Sequence, residues 1–98
     1  MITHVVLMRA TVDDAAMDAI FSDVAALVGS LDGLRSVVSG RSRSPEHIER
    51  GFMHGMVLTF DDVDALQRYA VDPRHVAIST KIRAAAEPDG VLVFDLET

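Results

Sequence analysis

Hydrophobic residues recur along this chain with two different periods, and the periods divide it into elements. Ile2 to Ala10 predicts a strand rich in β-branched and apolar residues. Ile2, His4, Val6 and Met8 fall on one of its faces, Val5 and Leu7 on the other, so both faces call for cover. Asp13 to Leu31 predicts an amphipathic helix. Met17, Ile20, Phe21, Val24, Leu27, Val28 and Leu31 form one wide apolar stripe, which is core packing. Thr11 or Asp13 can cap it, Asp13 and Asp14 suit its positive end, and Gly29 with Asp32-Gly33 ends it. Leu34 to Gly40 predicts a second, more polar strand, and Arg41 to Gly51 a solvated loop. Three arginines in that loop (Arg41, Arg43, Arg50) are the one hint there of an anionic ligand.

Phe52 to Phe60 predicts a third strand, with Phe52, His54, Met56, Leu58 and Phe60 on one face and Met53, Gly55 and Val57 on the other. Asp61 then caps a short helix whose first turn holds Asp62 and Asp64. Val63, Leu66 and Ala70 make its buried stripe, with Tyr69 at the edge. Asp72-Pro73 interrupts that helix and starts another, since Asp is a good N-cap and Pro fits the first helical position. His75, Ile78, Ser79 and Ile82 share a face of this last helix. Pro88-Asp89-Gly90 is a turn, and Val91 to Glu97 the final strand. No repeat, low-complexity tract or linker interrupts residues 1–98, which form one domain.

The order strand, helix, strand, strand, helix, helix, strand contains two crossovers. Right-handed crossovers place their helices on the same side of one sheet. The fold class is therefore α+β, a ferredoxin-like β-α-β-β-α-α-β protomer with an antiparallel sheet. The other side of that sheet is apolar and has no helix to cover it. An exposed face of this kind is covered most simply by a second copy, which predicts a homodimer through the sheet face.

Composition narrows the function. With 98 residues the core alone is marginal, which also favours a partner subunit. Lys and Arg number 9 against 15 Asp and Glu, a net charge of −6, which argues against a nucleic-acid partner. No cysteine is present, so thiolate metal sites, disulfides and cysteine nucleophiles are excluded. The start, Met1-Ile2-Thr3-His4, lacks the basic segment of a signal peptide, and no apolar run reaches the roughly 20 residues of a membrane span. The expectation is a cytoplasmic protein with no membrane partner.

Four segments together carry a resemblance. They are His4-Val5-Val6-Leu7, the strand Gly51-Phe52-Met53-His54-Gly55-Met56-Val57-Leu58-Thr59-Phe60, the turn Tyr69-Ala70-Val71-Asp72-Pro73-Arg74-His75-Val76, and Val91-Leu92-Val93-Phe94-Asp95. In this order they resemble the stress-responsive α/β barrel domain (Dabb) family of the dimeric α+β barrel superfamily. The resemblance implies a ferredoxin-like protomer whose sheet pairs with that of a second protomer. It also implies, from the polyketide cyclases in the family, a cofactor-free reaction. There the histidine of the Pro-x-His turn is a general base, assisted by the preceding tyrosine and by an aspartate on the last strand. Those positions match His75, Tyr69 and Asp95. Asp72 stands where many members have histidine, and Ala84-Ala85-Ala86 is small where a pocket would have aromatic walls.

The chemistry of these residues suits proton abstraction next to a carbonyl. Imidazole has an ordinary pKa of about 6.5, near where a base works best at neutral pH. A helix N-terminus disfavours the imidazolium of His75, and Asp72 opposes that effect. A hydrogen bond from His75 to Asp95 would fix the tautomer, and the Tyr69 phenol would donate to a developing enolate oxygen. His4, His54, Val6, Met8, Met56 and Ile78 are expected to line the pocket, around a small apolar or carbonyl-containing ligand. His4, His54 and His75 have no metal-ligand spacing, so no metal and no cofactor is expected. Two other readings stand beside the cyclase-like enzyme. One is a non-catalytic stress-responsive dimeric module, with His75 and Asp95 as a structural pair. The other is a cofactor-independent monooxygenase, disfavoured by the lack of Trp and of other aromatics that would stack on a flat ring.

Overall fold

The computed structural model, which describes residues 1–98, is a four-stranded antiparallel sheet with three helices on one side. In chain order the elements are β1 (Ile2–Ala10), α1 (Asp14–Ala25), β2 (Leu34–Arg41), β3 (His54–Phe60), α2 (Val63–Val71), α3 (Pro73–Ala84) and β4 (Ala86–Glu97). The strand order is β2-β3-β1-β4. The β1-α1-β2 unit steps over β3, and the β3-α2-α3-β4 unit steps over β1. This is the expected ferredoxin-like arrangement. No helix is long and apolar enough to cross a membrane.

Period-two alternation decides which way the sheet faces. Along β1 the residues Ile2, His4, Val6 and Met8 are buried and their neighbours only half-buried; along β3 the same holds for His54, Met56, Leu58 and Phe60. Register brings Val6 opposite Met56 and Ile2 opposite Phe60, so these residues form one continuous face. Onto it pack Met17, Phe21 and Val24 of α1, Ala65 and Tyr69 of α2, and Ile78 and Ile82 of α3.

Several boundaries differ from the sequence expectation, each for a local reason. α1 ends at Ala25 rather than Leu31. Beyond it the bonds tighten to Leu27 N→Val24 O (3.0 Å) and Val28 N→Ala25 O (3.2 Å), and Gly29 turns the chain at φ +87°. Leu27 is nonetheless buried, so the apolar stripe outlasts the helix. Asp13, not Thr11, caps α1, accepting from Ala16 N at 2.9 Å. Asp62, not Asp61, caps α2 (2.8 Å to Ala65 N), while Asp61 pairs with Arg35. The buried face of α2 also differs from the expected stripe: Ala65 and Tyr69 are buried, Leu66 is half-buried, and Val63 and Ala70 are exposed. Gly33 allows this close approach of α2, because a Cβ there would collide with that of Ala65. Phe52 and Met53 fall outside β3, because Arg50 (φ +57°) and Gly51 (φ +87°) turn the chain just before them.

β4 begins earlier than expected, at Ala86. Met8 faces Val91 while Ala10 faces Ala86, so two residue steps on β1 match five on β4. The surplus, at Pro88-Asp89-Gly90, is a bulge within the strand rather than a separate turn, with Asp89 at φ +56°.

The opposite sheet face carries no helix. One row crosses all four strands through Val38, Val57, Val5 and Phe94, as the register dictates. Its ends are open, with Val38 66% and Phe94 57% exposed, and Leu92 and Leu96 flank it.

Leu58 lies at the centre of the covered face with no exposed surface. Leu58→Ala is expected to cost about 2–5 kcal/mol through lost burial and a residual cavity. Urea unfolding at fixed protein concentration measures it, and a loss below about 1 kcal/mol would contradict this packing.

Candidate functional site

A cavity of about 160 Å³ lies between the sheet and the α2–α3 pair. The sheet contributes His4, Val6 and Met56, α2 contributes Leu66, Tyr69 and Ala70, α3 contributes His75, Ser79, Ile82 and Arg83, and β4 contributes Val91 and Val93. Tyr69 and His75 come together here, with ring centroids 4.1 Å apart at 39°. The Tyr69 ring also meets those of Phe60 (5.0 Å) and His4 (6.1 Å).

The junction of α2 and α3 explains how His75 is held. In a continuous helix the Ala70 carbonyl would accept from the amide of Arg74. Here that amide donates to Asp72 Oδ1 at 2.9 Å, because Asp72 caps α3 and Pro73 follows it. The Ala70 carbonyl is thereby freed, and His75 Nδ1 donates to it at 3.2 Å. A carbonyl only accepts, so in the neutral ring the proton resides on Nδ1. Nε2 keeps its lone pair and has no protein partner.

The expected His75–Asp95 hydrogen bond does not form. Asp95 is the register partner of His4 across the β1–β4 ladder, and His4 Nδ1 donates to its Oδ1 at 2.5 Å. Asp95 thus reaches the cavity through His4, which lines it, rather than through His75. Of the six residues expected to line the pocket, His4, Val6 and Met56 do so. Met8 is buried in the main core, and Ile78 faces that core from α3. His54 lies about 13 Å along β3 from Leu58, the residue opposite His4. There its Nε2 donates to Asp14 Oδ1 at 2.9 Å. The three histidines therefore do not converge, and nowhere do three or more His, Asp or Glu side chains gather as a metal cage.

Seven lining residues lie outside the set expected from the sequence: Leu66, Ala70, Ser79, Ile82, Arg83, Val91 and Val93. Arg83 had a signal: it follows Ser79 by four residues and His75 by eight, the spacing of one helix face.

Burial sets the charge states. It is the largest influence on His75 and lowers its pKa from the usual 6.5; the Ala70 hydrogen bond opposes this, His4 and Arg83 add to it, and Asp72 opposes it only weakly. Burial alone pushes the Tyr69 phenol up to about 12. At neutral pH the site thus holds a free base beside a protonated phenol.

These features belong to a recognisable class: an α+β sandwich with a small cavity between sheet and helices, carrying one free imidazole nitrogen. The stress-responsive A/B barrel domain model matches residues 2–98, and the chain belongs to that family. It is 24% identical to olivetolic acid cyclase of Cannabis sativa over 96 residues, 96% of this chain and 93% of that protein. A dimeric ferredoxin-like protein of unknown function from Jannaschia sp. CCS1 is 32% identical, with a TM-score of 0.86 over 99% of this chain and 98% of that one. The hydroxynitrile lyase of Passiflora edulis shares the fold at 20% identity, with a TM-score of 0.83 over 97% of this chain and 90% of that one.

The His75 assignment makes a prediction about pH. The folded protein binds the His75 proton less readily than the unfolded chain does. The stability this group confers is complete above about pH 6.5 and is lost on acidification. Nitrogen-15 NMR is expected to show the Nδ1–H tautomer with a titration midpoint below 6.5. An Nε2–H tautomer, or a midpoint above 6.5, would contradict the arrangement.

Proposed function

We propose that this protein is a homodimeric, cofactor-free enzyme that removes a proton next to a carbonyl of a small substrate. The resulting enolate then closes onto a second carbonyl of the same molecule. The observation that carries the reading is the Ala70 carbonyl, which holds the His75 proton on Nδ1 and leaves Nε2 bare beside the cavity. In the reaction Nε2 takes the proton, and the C–H electron pair moves into the enolate. Tyr69 donates a hydrogen bond to the enolate oxygen, which the high phenol pKa favours because the proton stays on Tyr69. The enolate carbon forms a carbon–carbon bond to the second carbonyl, and the His75 imidazolium returns its proton to the new alkoxide. His4, bonded to Asp95, orders the sheet side of the cavity. Kinship with a protein named as a cyclase supports this class of reaction.

The homodimer is supported by the open apolar row from Val38 to Phe94 and by the Jannaschia protein, which is described as dimeric. A face-to-face copy removes that row from water, at about 25 cal/mol for each Å² of apolar surface covered.

Two experiments test these readings. With a linear 1,3,5-tricarbonyl compound as substrate, ring closure is followed by absorbance. His75→Ala is expected to lower turnover about 10²–10⁴-fold with an unchanged circular dichroism spectrum, and Tyr69→Phe by a smaller factor. Full turnover by folded His75→Ala would overturn the enzyme. If His75→Ala only melts the protein, the histidine is structural and the non-catalytic module is the better description. For the assembly, light scattering at micromolar concentration is expected to return twice the chain mass, and Phe94→Asp to halve it. A monomeric wild type would refute the dimer.

A further inference from the structure

The cavity beside His75 is lined almost wholly by apolar, hydroxyl and imidazole groups, with a single full charge among them, the guanidinium of Arg83. Arg83 stands where this cavity adjoins an outer cleft formed by the bulge at Glu87, Pro88, Asp89 and Gly90. Arg83 makes no ion pair and no side-chain hydrogen bond; Arg43, Arg50 and Arg68 are also unpaired, but of these four only Arg83 lines the cavity. The nearest acidic residues on the bulge are otherwise engaged or out of reach. Glu87 pairs with Arg9 at 3.2 Å, and Asp89 forms no ion pair. Lys81, the other cation in the last turn of α3, is tied to Asp23 at 3.2 Å. A free guanidinium at the rim of an apolar cavity offers a planar fork of N–H donors that matches a carboxylate.

We propose that Arg83 is the carboxylate-binding residue of this site, and that the substrate is a keto acid anchored through its carboxylate with its enolisable carbon toward His75. This rests on the reading of His75 as the base. The anchor fits the electrostatics on two scales. The net charge of −6 repels an anion at long range, but ionic screening confines that field to about 8 Å in physiological salt, so the local cation governs the last approach. The cavity, at about 160 Å³, is also smaller than the roughly 300 Å³ at which drug-sized sites begin. With so little surface to bury, a charge-assisted contact supplies orientation that apolar packing alone would not.

The test compares acetoacetate with acetoacetamide, its neutral analogue of the same shape, by NMR titration of the Tyr69 and His75 signals. The wild type is expected to bind the anion about tenfold or more tightly than the amide, with the preference shrinking as salt is added. Arg83→Gln is expected to abolish the preference, Arg83→Lys to keep part of it, and His75→Ala to leave it in place. Lys retains the favourable interaction with the α3 C-terminus, so a loss in the Gln variant alone separates recognition from helix stabilisation. Equal affinities in the wild type, or a preference that survives Arg83→Gln, would overturn the carboxylate anchor and leave the base intact. Binding of neither probe would overturn both.

Discussion

The break between α2 and α3 is the constraint from which the site follows. Asp72 and Pro73 end one helix and begin the next with no intervening loop, and the cap diverts the Arg74 amide from its usual acceptor. One carbonyl of the last turn of α2 then lacks a helical partner. The imidazole five residues on fills that vacancy, so the same local event orients His75 and fixes its tautomer. Pro73 contributes by what it lacks. With no amide hydrogen, it cannot restore the helical ladder across the junction. A carbonyl and a carboxylate are different supports for an imidazole. The carbonyl holds the proton without adding a negative charge, and burial rather than an ion pair then governs the ring.

The sheet obeys a second constraint. Both faces of β1 and β3 are apolar, but the chain has helices for only one. The face that meets the helices holds the cavity and the His4–Asp95 pair. The face that does not is the row from Val38 to Phe94. Since β4 contributes to both, a partner on the open face would bear on the strand that carries Val91 and Val93 into the cavity. Assembly and site thus share a strand without sharing a surface.

Much of this was legible in the residues themselves, because period and capping are local properties. The strand faces, the α1 stripe and the Asp72-Pro73 junction can be read from neighbours a few positions apart. The errors arose where distant contacts outvoted local preference. Asp61 and Asp62 are equally good caps in sequence, and in the fold Asp62 caps while Asp61 pairs with Arg35 of β2. Tyr69 moved from stripe edge to core because Gly33 lets α2 approach at Ala65. The sequence pattern points Asp95 to His75 rather than to His4, because strand register is a long-range property. Once β1 and β4 pair antiparallel, His4 faces Asp95 directly. His54 and His4 share a strand face in the sequence pattern, yet the pattern carries no information on how far apart along the sheet they lie.

The placement of the charges has a further consequence for chemistry. Proton abstraction next to a carbonyl creates a negative charge where none existed, and the cost of that charge is set by what surrounds it. In this cavity the surroundings are a protonated phenol, an imidazole that becomes cationic as it takes the proton, and a guanidinium at the rim, while Asp95 is engaged by His4. In the proposed reaction negative charge on the substrate is met by donors, and the nearby carboxylates are engaged, Asp95 by His4 and Asp72 by Arg74. On the proposed reading, selection falls to the few polar groups of the lining, and the sole charged one lies a single helical turn beyond Ser79 on the face that presents His75.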